Sequence, residues 1–308
     1  MATRASGRRQ LTGLAFISPW LIGLGGLMLY PIGASLYYSF CEYSVLQPAQ
    51  WVGTGNYVDL FTDELFWKAL SNTLRFALWS LPLGVVLSFA LAVLLNTGVR
   101  GMAVWRTFFF LPALVPLVAL AVLWLWIFNG EYGILNQALA QLDRGIGALV
   151  GATHPLFRGP GWLSDPTYAL AALVIMSLWG VGNAMVIYLA ALQEVPEHLY
   201  EAAELDGAGW FQKVRYVAIP SVSPVILFNL IMGIIGSLQY FAVPYVISPE
   251  GSPARSIYFL TMYLYDNAFT YLRMGYACAM AWILFVVILV LTLVALRVSR
   301  RFVYYEGE

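Results

Sequence analysis

Six long apolar segments constrain the fold of this chain more than any other feature of its sequence. A transmembrane helix needs about 20 predominantly apolar residues, and six segments reach that length: approximately 14–39, 73–95, 107–128, 168–192, 222–246 and 274–296. Charged residues make up only 10% of the 308-residue chain, whereas a soluble domain carries about 25%. The sequence therefore predicts an all-α, polytopic membrane protein with six transmembrane helices.

The predicted domain organisation is an N-terminal tail of residues 1–13, a six-helix domain of residues 14–296 and a C-terminal tail of residues 297–308. Basic residues precede the first apolar run, as in a secretory signal peptide. That run is too long for a signal peptide, and no small-residue cleavage site follows it, so we expect an uncleaved first membrane helix. The net charge is zero, which gives no electrostatic basis for binding nucleic acid.

The distribution of Lys and Arg predicts the orientation of the spans, because short cytoplasmic loops carry an excess of both residues. With six spans, both termini lie on one side of the membrane. That side carries the basic residues Arg4, Arg8, Arg9, Arg100, Arg106, Lys213, Arg215, Arg297, Arg300 and Arg301. The opposite side carries Lys68, Arg75, Arg144, Arg158, Arg255 and Arg273 in longer loops. We therefore expect the chain in the cell (inner) membrane with both termini in the cytoplasm.

The loops on the predicted outer side contain three local features. Residues 43–72 interleave aromatic and polar residues, as interfacial segments do, and a weak amphipathic helix is predicted from Ile134 to Leu142. Asp165 is placed to cap a helix that begins with Pro166. Cys41 and Cys278, the only cysteines, are expected to be small buried hydrophobes, with a disulfide between them as the open alternative. Two cysteines without a ligand cluster predict no metal site.

A polar segment of residues 194–220 separates the fourth and fifth apolar runs. Pro196 suits the first turn of a helix, which is predicted to continue to Leu205, and a turn follows at Asp206-Gly207. A second short helix is predicted from Trp210 to Val217, ending before Pro220.

Two properties of this segment favour contact with a partner. Its small residues let another backbone approach closely, and Glu201 and Glu204 share one helix face. An ordinary solvated loop would carry similar charges, so the composition of the loop leaves both interpretations open.

The residues of this loop match a longer pattern. Glu201-Ala202-Ala203, then Gly207, then Val217-Ala218-Ile219-Pro220 resembles the EAA motif of binding-protein-dependent ABC importer permeases, in which Glu-Ala-Ala, three residues, Gly and nine residues precede Ile-x-Leu-Pro. Val and Ile replace Ile and Leu here. The loop is most similar to the sugar-permease branch of that family.

Further matches extend the resemblance over nearly the whole chain. They are Gly53-Thr54-Gly55-Asn56-Tyr57, the run from Phe66 to Thr73, Trp162-Leu163-Ser164-Asp165-Pro166, and Met274-Gly275-Tyr276-Ala277. One departure is Pro249-Glu250-Gly251-Ser252-Pro253, where most relatives carry Gly-Gly-Pro.

The resemblance implies the fold of a type I ABC importer permease and a heteromeric importer around it. The implied partners are a second permease subunit, two cytoplasmic ATP-binding subunits, an extracytoplasmic solute-binding protein and the lipid bilayer. ATP and Mg would be bound by the ATP-binding subunits, so this chain would need no cofactor and catalyse no reaction. The loop of residues 194–220 would couple it to an ATPase through Glu201, Ala202, Ala203, Glu204, Asp206, Gly207 and Pro220.

Polar, aromatic and small residues interrupt the fourth and fifth apolar runs, which flank the loop. Sugars bind to proteins through aromatic stacking and polar side chains, and residues of this kind also serve helix packing. The candidates for contact with a sugar or sugar-like solute are Trp179, Gly180, Asn183, Gly233, Ser237, Gln239 and Tyr240. Gly180, Gly233, Ser237 and Tyr240 fall at positions that resemble sugar contacts of the family.

Two alternative functions would each require residues of a particular kind. An ion-driven secondary transporter of a small polar solute usually carries Asp, Glu or His within its spans, and the six predicted spans contain none of the three. This argues against proton coupling but leaves sodium coupling open. An intramembrane enzyme would need a nucleophile with its base or a metal cluster, and the sequence offers neither.

Overall fold

The computed structural model describes residues 2–97, 99–150, 159–300 and 303, and it places side chains from residue 13 onward except those of residues 147–150. The predicted cytoplasmic residues Arg4, Arg8, Arg9 and Arg301, the predicted outer residue Arg158 and most of the predicted tail of residues 297–308 have side chains outside this range.

Helices account for most of the described chain. The first half contains α1 (Ala2–Gly23), a π-helical turn (Leu24–Leu29), α2 (Tyr30–Ser39), β1 (Cys41–Ser44), β2 (Gln47–Trp51), α3 (Gly55–Thr62), α4 (Glu64–Leu95), α5 (Met102–Phe110), a 3₁₀ turn (Leu111–Leu114), α6 (Leu117–Ile127) and α7 (Ile134–Val150). The second half contains α8 (Pro166–Leu178), α9 (Gly182–Glu194), α10 (Glu197–Leu205), α11 (Trp210–Lys213), a π-helical turn (Val214–Ala218), α12 (Ile219–Ser221), α13 (Ser223–Leu238), α14 (Ala242–Ile247), α15 (Leu260–Tyr265), a π-helical turn (Asp266–Thr270) and α16 (Met274–Ser299).

The membrane-spanning segments agree with the six that the sequence predicts. Among the described residues, four helical segments are long and apolar enough to cross a bilayer: Gly13–Ser39, Glu64–Leu95, Ser223–Ile247 and Met274–Ser299. Two bent pairs, α5 with α6 and α8 with α9, bring the number to six if each pair is one span. The second span begins at Glu64, earlier than expected, because residues 64–72 continue the same helix.

The third predicted span is a broken helix. Its two parts, Met102–Leu114 and Leu117–Ile127, meet at an angle of 98°. Val115 has an extended backbone (ψ 128°) and precedes Pro116, which caps the start of α6. A residue before proline is disfavoured in the helical conformation, which explains why the helix breaks here. The fourth span bends by 44° between α8 and α9.

The chain divides into two units, and the first comprises residues 1–63 and 264–283. It contains the antiparallel hairpin β1–β2, in which Cys41 pairs with Trp51 and Glu42 with Gln50. The sequence predicts an all-α fold and does not predict these strands. Cys41 is buried, Cys278 is half-buried, and both are free thiols.

Two of the recognised motifs hold this first unit together. The Asn56 side chain donates hydrogen bonds to the carbonyl oxygens of Ser39 and Cys41, both at 2.9 Å. Tyr276 donates to Asp63 at 2.7 Å, and a Cβ on Gly275 would collide with the carbonyl oxygen of Cys41. The Asn-Tyr and Gly-Tyr-Ala motifs therefore fasten the hairpin and the end of α3 to the start of α16.

The second unit, residues 64–263 and 284–308, is built around α4. This helix packs against α8, α9 and α13. Near its start, Asn72 donates to the carbonyl oxygens of Arg255 (2.8 Å) and Tyr258 (3.1 Å), and the Thr73 hydroxyl accepts from the backbone N–H of Leu260. The Asn-Thr pair of the third recognised motif thus fixes the loop before α15.

The remaining recognised motif organises the segment between α6 and α8. The indole N–H of Trp162 donates to Asn136 at 2.8 Å, while Asn136 donates to the carbonyl oxygen of Pro160. Asp165 accepts from the backbone N–H of Thr167 at 2.8 Å, which confirms the predicted cap of α8. The predicted amphipathic helix also forms, and α7 extends beyond Leu142 to Val150.

Candidate coupling surface and membrane cavity

The predicted coupling loop forms two short helical arms with a sharply defined turn between them. Gly207 has a left-handed backbone (φ +78°). Its N–H donates to the carbonyl oxygen of Glu204, and the N–H of Ala208 donates to that of Ala203, both at 2.9 Å. This pair of bonds is the Schellman motif, which satisfies carbonyl groups at a helix end and favours glycine at the left-handed position. The predicted turn at Asp206-Gly207 is confirmed.

The second arm continues further than the sequence analysis predicted. It begins with α11, whose Gln212 side chain accepts from the backbone N–H of Gly209 at 2.7 Å. A π-helical turn follows, in which the N–H of Ile219 donates to the carbonyl oxygen of Val214. Pro220 was expected to lie beyond the helix, but it lies inside α12. Proline lacks an N–H, and here it sits in the first turn of α12, where that N–H needs no partner within the helix.

The loop exposes several large apolar side chains. Leu205 is 90% exposed, and Trp210, Phe211 and Tyr216 are each more than half exposed. Exposed apolar side chains concentrated in one segment favour an interaction surface. Glu201, Glu204, Asp206 and Gly207 are exposed on the same two arms, so the surface combines apolar and acidic groups.

A short ion pair connects the two arms. The ammonium of Lys213 in α11 lies 2.5 Å from a carboxylate oxygen of Glu204 in α10. Since Glu204 is largely exposed, this pair contributes little stability by itself. Burial raises the pKa of Tyr200 in α10.

The base of the loop is buried among the membrane helices. Ala218 and Val222 belong to one apolar cluster with Met185, Tyr188, Leu189 and Leu192 of α9 and Ala92 and Leu95 of α4. Arg106 donates two hydrogen bonds, of 2.9 and 3.2 Å, to the carbonyl oxygen of Leu95 at the end of α4. The loop is therefore packed directly onto the ends of the helices on which its motion would act.

Next to this cluster, α4, α9 and α13 enclose a cavity of about 490 Å³ together with the end of α8. Serine, asparagine and tyrosine supply its polar groups, and no charged side chain lines it among the described residues. At one end the rings of Phe76 and Tyr240 stack at 4.6 Å, and Phe259 meets both edge-on. This lining suits an uncharged or weakly polar surface of a solute.

The cavity gathers five of the seven residues proposed for solute contact. Its lining includes Gly180, Asn183, Gly233, Ser237 and Tyr240. Trp179 and Gln239 do not line it. Trp179 is 53% exposed and meets the ring of Trp124 edge-on at 5.7 Å. Contact of any of the seven with solute stays a prediction.

The residues predicted from the sequence to contact solute include none from α4, although this helix forms one wall of the cavity. Phe76, Ser80 and Ser88 of α4 line the cavity, as does Tyr188 in the middle of α9. Because α4 does not adjoin the coupling loop in the chain, no pattern in the sequence connects it with α9 and α13. Only the packing of the three helices reveals this wall.

Comparison with known proteins agrees with the predicted fold and family. The family described as "Binding-protein-dependent transport system inner membrane component" matches residues 81–304. The probable ABC transporter permease protein YesP of Bacillus subtilis is 36% identical over 99% of this chain and 96% of its own length. The sulfoquinovosyl glycerol transport system permease protein SmoG of Agrobacterium fabrum is 31% identical, with 94% and 91% covered.

Two further comparisons extend the likeness. The lactose transport system permease protein LacF of Rhizobium radiobacter is 33% identical, over 95% of this chain and 95% of its own length. A bacterial alginate ABC transporter, crystallised with an alginate pentasaccharide-bound periplasmic protein, contains a chain that superposes with a TM-score of 0.77 at 24% identity and 96% coverage of both chains. That match establishes the type I importer permease fold. From the family match over residues 81–304 and relatives above 30% identity along nearly the whole length, this chain belongs to the binding-protein-dependent inner membrane components, the permease subunits of ABC importers.

Proposed function

We propose that this permease forms half of a path for a sugar or sugar-like solute, driven by ATP hydrolysis in subunits that dock on the loop of residues 194–220. The observation that carries the proposal is the shared apolar cluster. Ala218 and Val222 at the base of the loop belong to the same apolar cluster as Tyr188 of α9, and Tyr188 also lines the cavity. A force applied to the loop would reach the wall of the cavity through this cluster.

The docking surface consists of the exposed face of α10 and α11. The first arm of this surface consists of Glu201, Ala202, Ala203, Glu204, Asp206 and Gly207. Pro220 lies at the end of the second arm. Small residues there admit the backbone of an ATP-binding subunit, while Leu205 and Trp210 supply apolar area. Because protein interiors are closely packed, movement of this surface is passed on rather than absorbed.

The complete importer, in this proposal, contains a second permease subunit, two ATP-binding subunits and an extracytoplasmic solute-binding protein. ATP and Mg belong to the ATP-binding subunits, and this chain hydrolyses nothing. Its termini and its coupling loop face the cytoplasm, as the distribution of Lys and Arg indicates. Family membership supports this assembly, as does the periplasmic protein bound to the alginate transporter.

A sugar or sugar-like solute fits the names of the relatives and the chemistry of the cavity. SmoG and LacF are named for transport of sulfoquinovosyl glycerol and lactose. Gly180, Asn183, Gly233, Ser237 and Tyr240 combine hydroxyl, amide and aromatic groups with glycines that leave room for a ring. Sugar hydroxyls both donate and accept, so they match hydroxyl and amide side chains.

A reconstitution experiment tests the proposal. The permease, its partner subunits and the binding protein are placed in proteoliposomes, and uptake is measured for the sugar that most stabilises the binding protein in a thermal-shift screen. The screen contains lactose, maltotriose, arabinotriose and an alginate disaccharide. Uptake should require both internal ATP and the binding protein. Uptake by the permease alone, without ATP, would contradict the proposal.

A pair of substitutions on α10 tests the docking surface. Glu201→Ala should lower ATP-coupled uptake by at least about tenfold, a loss of ~1.4 kcal/mol of coupling. Glu197→Ala is the matched control, since it removes the same charge from an exposed position one turn earlier and should change uptake by less than about threefold. Equal effects of the two substitutions would remove Glu201 from the coupling surface.

A further inference from the structure

Two hydroxyl groups in the wall of the cavity have no hydrogen-bond partner. Among the described side chains, four buried hydroxyls lack one: those of Ser80, Tyr188, Ser256 and Thr292. Ser80 on α4 and Tyr188 on α9 both line the cavity, whereas the other two lie elsewhere. The phenol of Tyr188 is completely buried, and Ser80 is 8% exposed.

The other serines of the cavity differ from Ser80. Ser88 donates to the carbonyl oxygen of Gly84 at 2.6 Å, Ser177 to that of Val174 at 2.7 Å, and Ser237 to that of Ile234 at 3.2 Å. Each of these hydroxyls is occupied by its own helix. A buried hydroxyl without a partner costs free energy, and native proteins keep such groups mainly where they have a role.

The side chains of Ser80 and Tyr188 are anchored at different levels of the cavity wall. The ring of Tyr188 meets that of Phe89 edge-on at 5.6 Å, which places it beside the later part of α4. Ser80 and Phe89 are nine residues apart on that helix, or roughly 13 Å at 1.5 Å per residue. One sugar ring is too short to contact both levels at once, whereas a chain of two or more rings can.

We propose that the hydroxyls of Ser80 and Tyr188 bind hydroxyl groups of an oligosaccharide of two or more rings as it passes through the cavity. The inference rests on the proposed function and adds two binding residues to it, one of them on α4. Each hydroxyl offers one donor and acceptor lone pairs, so each can complete a hydrogen bond with a sugar hydroxyl in either direction. Tyr188 also contacts the base of the coupling loop through the apolar cluster.

The test uses the reconstituted importer with three single substitutions. Ser80→Ala and Tyr188→Phe each remove one unpartnered hydroxyl. Thr107→Val removes a hydroxyl of α5 that already donates to the carbonyl oxygen of Ala103 at 3.0 Å and does not line the cavity. The probe is the radiolabelled oligosaccharide that the thermal-shift screen selects. It is supplied bound to the solute-binding protein, which is present at a saturating concentration. We expect S80A and Y188F each to lower the uptake rate about fivefold, and T107V to stay within about twofold of the wild type.

Thermal unfolding of the same complexes separates binding from a structural role. Because the removed hydroxyls have no partner, S80A and Y188F should leave the unfolding temperature unchanged or raise it. A lowered unfolding temperature would show that the hydroxyls hold the fold and would overturn the inference. Uptake equal to that of T107V would overturn it too. Failure of the wild type to take up any sugar would instead refute the proposed function.

Discussion

Gly207 shows how one residue sets the shape of the coupling loop. Its backbone is left-handed (φ +78°), and the two bonds that close α10 depend on that conformation. An L-residue with a side chain pays roughly 1–2 kcal/mol to adopt it. The glycine of the EAA pattern is thus required by backbone geometry, because no atom lies within 4 Å of the position its Cβ would occupy.

Gly207→Ala should therefore weaken the end of α10 by roughly 1–2 kcal/mol and lower ATP-coupled uptake. Gly209→Ala is the control, because Gly209 lies in the same loop with an ordinary extended backbone (φ −71°). Uptake by reconstituted complexes and their unfolding temperatures measure both effects. If G209A were as defective as G207A, crowding at the interface rather than backbone strain would be the cause.

The local conformations at Gly207 and at Asp165 could be predicted from the sequence because short-range hydrogen bonds fix them. The bonds of Gly207 and of Asp165 join atoms a few positions apart, so a local pattern contains the information. Ser80 differs, since its hydroxyl matters only through its place in a cavity made by α4, α9 and α13. No local pattern distinguishes Ser80 from Ser88 on the same helix.

At the scale of helices, Gly233 determines how closely α13 approaches α4. A Cβ at this position would collide with the end of the Leu81 side chain. Both residues line the cavity, so the contact also sets the width of the path. Small residues at such crossings are typical of membrane helix packing.

Gly233→Ala should cost about 0.5–1.5 kcal/mol of stability, because the end of the Leu81 side chain must turn away from its preferred rotamer, and the cost is measured as a lower unfolding temperature of the purified protein in detergent. Gly236→Ala, one turn away with no atom within 4 Å of its Cβ position, should cause no loss. The double substitution G233A/L81V should recover part of the stability. If G233A and G236A behaved alike, the close approach of α13 to Leu81 would be wrong.

The helices also show why some elements escaped prediction. Hydropathy reports the length of an apolar run but not its direction, so residues 107–128 suggested one span where the chain turns through 98°. Pro112 and Pro116 were visible in the sequence, yet prolines also occur in membrane helices that merely kink. The hairpin β1–β2 was missed because its strands are four and five residues long and their alternation is weak.

At the scale of the whole molecule, composition was sufficient to predict a polytopic membrane protein with six spans, and the resemblance to the EAA motif identified it as a permease. The apolar runs are long, and water is absent from the bilayer core, so backbone groups there must be satisfied within helices. The solute remained a proposal because its binding surface is divided among several helices and, in the proposed assembly, several polypeptides.

The orientation of the chain in the membrane is a property of the whole molecule, and it can be tested directly. If the basic residues set the topology, the loop between α4 and α5 faces the cytoplasm and the hairpin between the first and second spans faces outward. Val99 and Leu46 are exposed positions in these two segments. Each is replaced by Cys in a background in which Cys41 and Cys278 have become Ala and which retains uptake.

A membrane-impermeant maleimide should label Leu46→Cys in intact spheroplasts and Val99→Cys only in inverted vesicles. Labelling of both residues in detergent is the control, because it shows that each thiol is reactive. The reverse pattern would place residues 194–220 outside the cell, since three spans separate the hairpin from that loop and two spans separate the loop from Val99. ATP-binding subunits could not then reach the loop, and the proposed coupling would fail whatever the cavity binds.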